Sequence, residues 1–190
     1  METLTQADPA VTGLAAEQIV DAIVQSTTDV FSTMLGMEAR AGASYRESGA
    51  PGPSDGVVAL VGMAGAWAGN GSIAARADLA CHVAGVFMMS EYPAVNDEVL
   101  DAFAELSNMI VGNIKNRFEE ELGLMALSIP TVVFGRNFAT RSMTKTEWTV
   151  VPFDVELPSG VAGRFEVQVC LEKNTQTPGG RPGRGISLQR

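Results

Sequence analysis

One stretch of this sequence sets a carboxylate and a carboxamide one helical turn apart. In Asp101-Ala-Phe-Ala-Glu105-Leu-Ser-Asn108-Met-Ile-Val-Gly112-Asn-Ile-Lys115, the residues Asp101, Glu105, Asn108, Gly112 and Lys115, with Glu119 beyond, fall on one face at roughly 100° per residue. A carboxamide has no useful proton affinity near neutrality, so Asn108 is not a base. It can accept from and donate to one water at once, and so hold that water for in-line attack. Phosphoryl transfer asks little more of an assisting side chain, because its loose transition state responds mainly to positioning and electrostatics. Glu105 can anchor a cationic group or act as a base. Gly112 costs about 1 kcal/mol relative to alanine in a helix interior, and would let another backbone approach closely there. The plainer alternative pairs Glu105 with a neighbouring Lys or Arg and leaves Asn108 solvated. Spacing alone keeps both readings open.

Other candidate chemistry is thinner. Gly62, Gly65, Gly69 and Gly71 invite comparison with a phosphate-binding loop, but no Gly-Lys-Ser/Thr ending follows, and a bulged or wide β-turn is the better expectation. His82 is the only histidine, so metal sites built on paired histidines are out, and a packed or surface residue is expected. Cys81 and Cys170 are too few for a disulfide framework and read as buried free thiols of a reducing cytoplasm. A net charge of −9 argues against nucleic acid as a partner. The N-terminus lacks the basic-then-apolar pattern of a signal peptide, and the apolar run 57–69 is too short and glycine-rich to cross a membrane. The chain therefore offers neither a phosphate cradle nor a metal cluster. If phosphoryl chemistry happens here, the phosphate and metal are expected to arrive on a partner.

At 190 residues with 46% hydrophobic and 18% charged residues, one globular domain is expected. Residues 1–15 read as a flexible lead-in, 16–174 as the folded domain, and 175–190 as a flexible tail with three arginines and no acid. Apolar spacing predicts a first helix from about Ala15 to Leu35, closed by Gly36. Residues 41–56 read as a loop, and 57–63 with 72–75 as a hairpin. A second helix runs from an Asp78 cap to about Met89. Pro93 breaks the chain, Asn96 caps the long helix to Leu122, and Asp97 and Glu98 suit its first turn. Val99, Phe103, Leu106, Ile110 and Ile114 form its apolar side, flanked by Leu100 and Phe118. Period-two patterns then predict strands at 130–134, 147–155 and 164–172, with a turn at 157–160.

Three segments carry a family resemblance. Glu105-Leu-Ser-Asn-Met-Ile-Val-Gly112, the later Ile129-Pro-Thr-Val-Val-Phe-Gly-Arg136 and the first helix ending in Leu35-Gly-Met37 are similar to the CheC/CheX/FliY chemotaxis phosphatases, and to the CheX type in particular. The resemblance spans about residues 16–172. It implies an α/β domain of the α+β type, with long helices on an antiparallel sheet and an internal pseudo-two-fold. It also implies hydrolysis of the aspartyl phosphate of a CheY-like response regulator in the cytoplasm. Asn108 would place the water and Glu105 would bridge to the regulator's lysine. Asp101 and Gly112 would help seat the partner. The regulator would bring Mg²⁺, the chain having no cofactor of its own, and a homodimer is implied. Where CheC-type relatives carry a second site, the first helix here has Asp21, Gln25, Thr28 and Ser32, so one site per chain is expected. The competing reading on the same fold is a non-catalytic module that binds a response regulator or the flagellar switch.

Overall fold

The computed structural model describes residues 14–48, 54–138, 147–157, 160 and 162–174. Most of the lead-in and the whole tail lie outside that set. Three helices cover one face of a single antiparallel sheet. Helix α1 spans Ala16–Val30 and continues through a π-turn at Phe31–Leu35 to Gly36, whose φ of 62° is left-handed. Its expected bounds and its glycine stop both hold. Helix α2 spans Ala77–Met88. Its cap is Arg76 and not Asp78, because the preceding strand delivers the chain directly into the helix. Asp78 sits in the first turn, its carboxylate accepting from Leu79 N at 3.0 Å. Helix α3 spans Asp97–Leu122, and the Asn96 side chain accepts from Val99 N at 3.0 Å, as the cap reading requires.

The strands are β1 (Ala39–Ala41), β2 (Tyr45–Ser48), β3 (Ser54–Gly65), β4 (Trp67–Ala75), β5 (Met125–Leu127), β6 (Thr131–Phe138), β7 (Glu147–Glu156) and β8 (Ala162–Lys173). Their order is β1-β7-β8-β4-β3-β5, with β2 also on β7 and β6 also on β3. Two corrections to the sequence reading follow. The supposed loop 41–56 contains β2 and the start of β3, with side chains too exposed to leave an apolar pattern. The glycine-rich stretch is not a wide turn either. Residues 64 and 68 still pair, only Ala66 separates the two strands, and the glycines lie within the ladder. At the far end, Gly160 donates its N–H to Leu157 O at 2.8 Å with a positive φ, so that turn stands as expected.

Each sheet edge is one strand interrupted by a bulge. Ala41 pairs with Phe153 and Tyr45 with Val150, so residues 41–45 run beside residues 153–150 with one residue to spare. On the other edge Leu127 pairs with Met63 and Thr131 with Leu60, again with one residue extra. The chain thus repeats a unit of helix, bulged edge strand and hairpin: α1, β1/β2, β3–β4, and then α3, β5/β6, β7–β8. Each unit's edge strand pairs with the other's hairpin, and β4 meets β8 at the centre. This is the pseudo-two-fold.

The core lies between helices and sheet, with Ile23, Phe31, Ile110, Ile114 and Phe118 facing Val57, Val61, Val151, Phe153 and Val167. Phe165 stacks between Phe31 and Phe153, at centroid distances of 4.7 and 5.2 Å. Gly71 positions the long helix. A Cβ there would fall 2.5 Å from Val111 Cγ2, so the bare backbone lets α3 settle onto β4. Cys81 and Cys170 are both buried free thiols, and burial pushes Cys170 up to about 11.

Candidate functional site

Helix α3 orients the site through what it buries. Val99, Phe103, Leu106, Ile110, Ile114 and Phe118 are all in the core, which turns Asp101 and Glu105 to solvent and leaves Asn108 and Gly112 on the half-exposed rim. Three other acids on the helix are engaged. Glu98 accepts from the Tyr92 hydroxyl at 2.9 Å, and Glu121 from Gln18 at 2.6 Å. Glu119 takes Lys115 at 2.8 Å and Met125 N at 2.7 Å. The Lys115 ammonium, and after it the Met125 amide, hold the Glu119 carboxyl below the usual range. Glu105 and Asn108 have no hydrogen-bond or ion-pair partner among the described residues, and neither does Asp101. The plainer reading, a Lys or Arg beside Glu105, is therefore not what the fold provides.

Gly112 is open on the side of this chain. A Cβ there would meet only Leu127 Cδ1, at 3.7 Å, an ordinary contact. No backbone of the described residues comes within 4 Å of that position, so their packing does not demand glycine at 112. The glycine that does serve close approach is Gly71, which spacing on the helix had no means to reveal.

The matching face of α1 is differently disposed. Thr28 Oγ1 donates to Val24 O at 2.8 Å and Ser32 Oγ to Asp29 O at 3.1 Å, so its hydroxyls turn back to their own helix. His82 is exposed, with Nδ1 2.7 Å from Asp78 O, in an open groove of about 970 Å³ between α2, residues 90–95, Phe134 and Leu157. It faces neither Glu105 nor Asn108. Among the described residues no three His, Cys, Asp or Glu side chains come together as metal ligands, and no helix is long and apolar enough to cross a membrane.

Sequence reasoning missed the bulge that flanks the site. Ser128 N donates to Gly62 O at 2.9 Å, and its Oγ accepts from Gly62 N at 2.8 Å. The segment after α3 is thus fastened at both ends, by Glu119 on Met125 and by Gly62 on Ser128. The register that reveals it depends on pairing partners distant in sequence.

Long helices on one antiparallel sheet with an internal two-fold define a class of fold, and comparison with known proteins finds that class. The family model described as chemotaxis phosphatase CheX matches residues 57–154, just over half the chain. The chain belongs to this family. Among solved structures it is similar to the chemotaxis protein CheX of Vibrio vulnificus (24% identity, 82% of this chain and 99% of that one, TM-score 0.70) and of Desulfovibrio desulfuricans (26%, 82% and 99%, 0.68). It is also similar to CheX in a CheX–CheY–BeF3–Mg²⁺ complex from Borrelia burgdorferi (24%, 81% and 97%, 0.67). No curated protein matches.

Proposed function

We propose that residues 16–174 form a phosphatase domain that hydrolyses the aspartyl phosphate of a CheY-like response regulator, Asn108 orienting the attacking water. The observation that carries this reading is the Glu105–Asn108 pair, one turn apart on the outer side of the long helix and without a partner among the described residues. An acyl phosphate already has a good leaving group. What speeds its hydrolysis is a water held in line with the scissile bond. The Asn108 carboxamide can accept one water proton and donate to a neighbouring oxygen, fixing both place and orientation. The water oxygen bonds to phosphorus as the bond to the aspartyl oxygen breaks. The water's proton passes to a phosphate oxygen and the aspartate leaves as carboxylate. Asn108 is unchanged throughout.

Glu105, exposed and unpaired, is free to bridge to the regulator's lysine, with the charge of Asp101 one turn away. Gly112 keeps the face low, so that the partner's backbone can close over it. Mg²⁺ belongs on the regulator in this scheme, which agrees with the composition of the Borrelia complex. A regulator that signals inside the cell places the reaction in the cytoplasm. A homodimer is proposed with it. Strand β6 pairs only with β3, so its outer edge is open among the described residues to a second copy.

The test is a phosphate-release time course with purified phosphorylated regulators. Wild type should shorten the phosphate lifetime, and Asn108→Ala should abolish the acceleration with an unchanged circular dichroism spectrum. Tight binding with an unaltered lifetime would instead identify a non-catalytic binding module.

A further inference from the structure

We infer that the groove between α2 and residues 90–95 takes a lysine or arginine side chain of the regulator, a second contact that holds the partner while Asn108 works on its phosphate. The inference rests on the proposed function and names what binds beside that site.

The groove is continuous with the site along α3. Glu98 and Glu105 are seven residues apart, two helical turns, so they share one stripe of the helix about 10 Å apart. Glu98 accepts from the Tyr92 hydroxyl at 2.9 Å, and Tyr92 lines the groove. The groove therefore opens at the N-terminal end of the stripe that carries Glu105 and Asn108. A stable interface covers about 800 Å² on each partner, a disc of about 16 Å radius, so a partner centred on Glu105 reaches the groove. The C-terminal end of the stripe offers less, because Lys115 and Met125 N already occupy Glu119. Helix α2 and residues 90–95 belong to neither repeat of the pseudo-two-fold, and they lead into the helix with the Glu–Asn pair.

The chemistry of the walls selects the occupant. Residues 77–114 contain Asp78, Glu91, Asp97, Glu98, Asp101 and Glu105 but neither lysine nor arginine. Arg76 answers Asp78 at 3.3 Å. Glu91 lines the groove, is exposed, and has no hydrogen-bond or ion-pair partner among the described residues. Beside it stands the half-buried Tyr92, and Val86, Val95 and Phe134 make the groove apolar. A lysine or arginine matches both parts. Its methylene stem covers apolar surface while its cation meets a carboxylate, and the cation is also attracted to the face of an aromatic ring. An aliphatic side chain would desolvate Glu91 without a counter-charge, and an acidic one would be repelled.

Titration of the full chain with regulators loaded with beryllofluoride and Mg²⁺ tests this, alongside steady-state dephosphorylation. At physiological ionic strength Glu91→Lys should weaken binding of the preferred regulator about tenfold, because attraction becomes repulsion. The loss should shrink at high salt. Tyr92→Leu keeps an apolar side chain but removes ring and hydroxyl, and should weaken binding about threefold to fivefold. For both variants kcat at saturating regulator should stay within about twofold, since Asn108 is untouched. Glu120→Lys is the control. It makes the same charge change on an exposed acid about 22 Å along α3 from Glu105, well past the screening length of about 8 Å. It should leave affinity within about twofold. An unchanged affinity for Glu91→Lys, or an equal loss for Glu120→Lys, overturns the inference. If wild type binds the loaded regulator without shortening the phosphate lifetime, the phosphatase reading fails alone and the titration still decides the groove. No binding by wild type ends both.

Discussion

The two halves of this molecule share one plan and differ in what they present. Each has a helix with polar residues at the same spacing, a bulged edge strand and a hairpin. On α1 the positions read Asp21, Gln25, Thr28, Ser32, and on α3 they read Asp101, Glu105, Asn108, Gly112. In the first set both hydroxyls bond to the helix backbone, whereas in the second the carboxylate and carboxamide are left open. The scaffold therefore does not make the site, since it is present twice. On the proposed function four side-chain identities on one copy do, and exchanging them between halves tests that proposal directly.

The largest effect should come from Asn108→Thr, which gives α3 the residue of α1. A hydroxyl cannot hold a water from two sides at the reach of a carboxamide, so the rate of phosphate loss should fall about a hundredfold or more, as expected when a reacting group is misplaced by an ångström. Next is Gly71→Ala, which tests whether α3 needs its seat. The added methyl meets Val111, and thermal unfolding should show a loss of about 1–3 kcal/mol. Glu105→Gln, again the α1 residue, removes a charge but not the shape. Affinity for the phosphorylated regulator should drop about tenfold, with a weaker salt dependence in a titration. Gly112→Ser should stabilise the fold by about a few tenths of a kcal/mol, read as a higher melting temperature, because serine is the better helix residue and no atom of the described residues blocks it. Regulator binding should weaken all the same, so stability and affinity move in opposite directions. A fall in both would mean that Gly112 serves the fold.

The smallest effect concerns the fastening of the bulge. Glu119 has a depressed carboxyl in the folded state, so its contribution is present above the ordinary glutamate range and is lost as pH falls through the lowered value. Hydrogen exchange at the Met125 amide, corrected for intrinsic rates, should lose protection on acidification in wild type. Glu119→Gln keeps the acceptor but not the ion pair, and should flatten that pH dependence.

Much of this was readable along the chain, for identifiable reasons. Helix α3 announces itself because a single face of Val99, Phe103, Ile110 and Phe118 enters the core and Asn96 caps it. Strand β8 is as clear, with Phe165, Val167, Val169 and Leu171 alternating inward. β2 reads as part of a loop because an edge strand held by backbone pairing needs no apolar side chains. Residues such as Tyr45 and Arg46 remain exposed there. The glycines of β3 and β4 misled for a related reason. Their purpose lies in neighbours about a hundred residues away or on another layer, and local turn chemistry is the wrong guide. The Glu–Asn pair was found from spacing, whereas the openness of both side chains, and of Gly112, among the described residues required the packed structure.

The exchange of edge strands between the halves also sets the order in which the chain can fold. Strand β2 waits for β7, which leaves the ribosome about a hundred residues later, and β3 stays half-paired until β5 and β6 arrive. Neither half can close its own sheet and rest as an intermediate. Such long-range pairing should make folding slow and all-or-none, with the unprotected hairpin β3–β4 the segment most exposed to misassociation during synthesis.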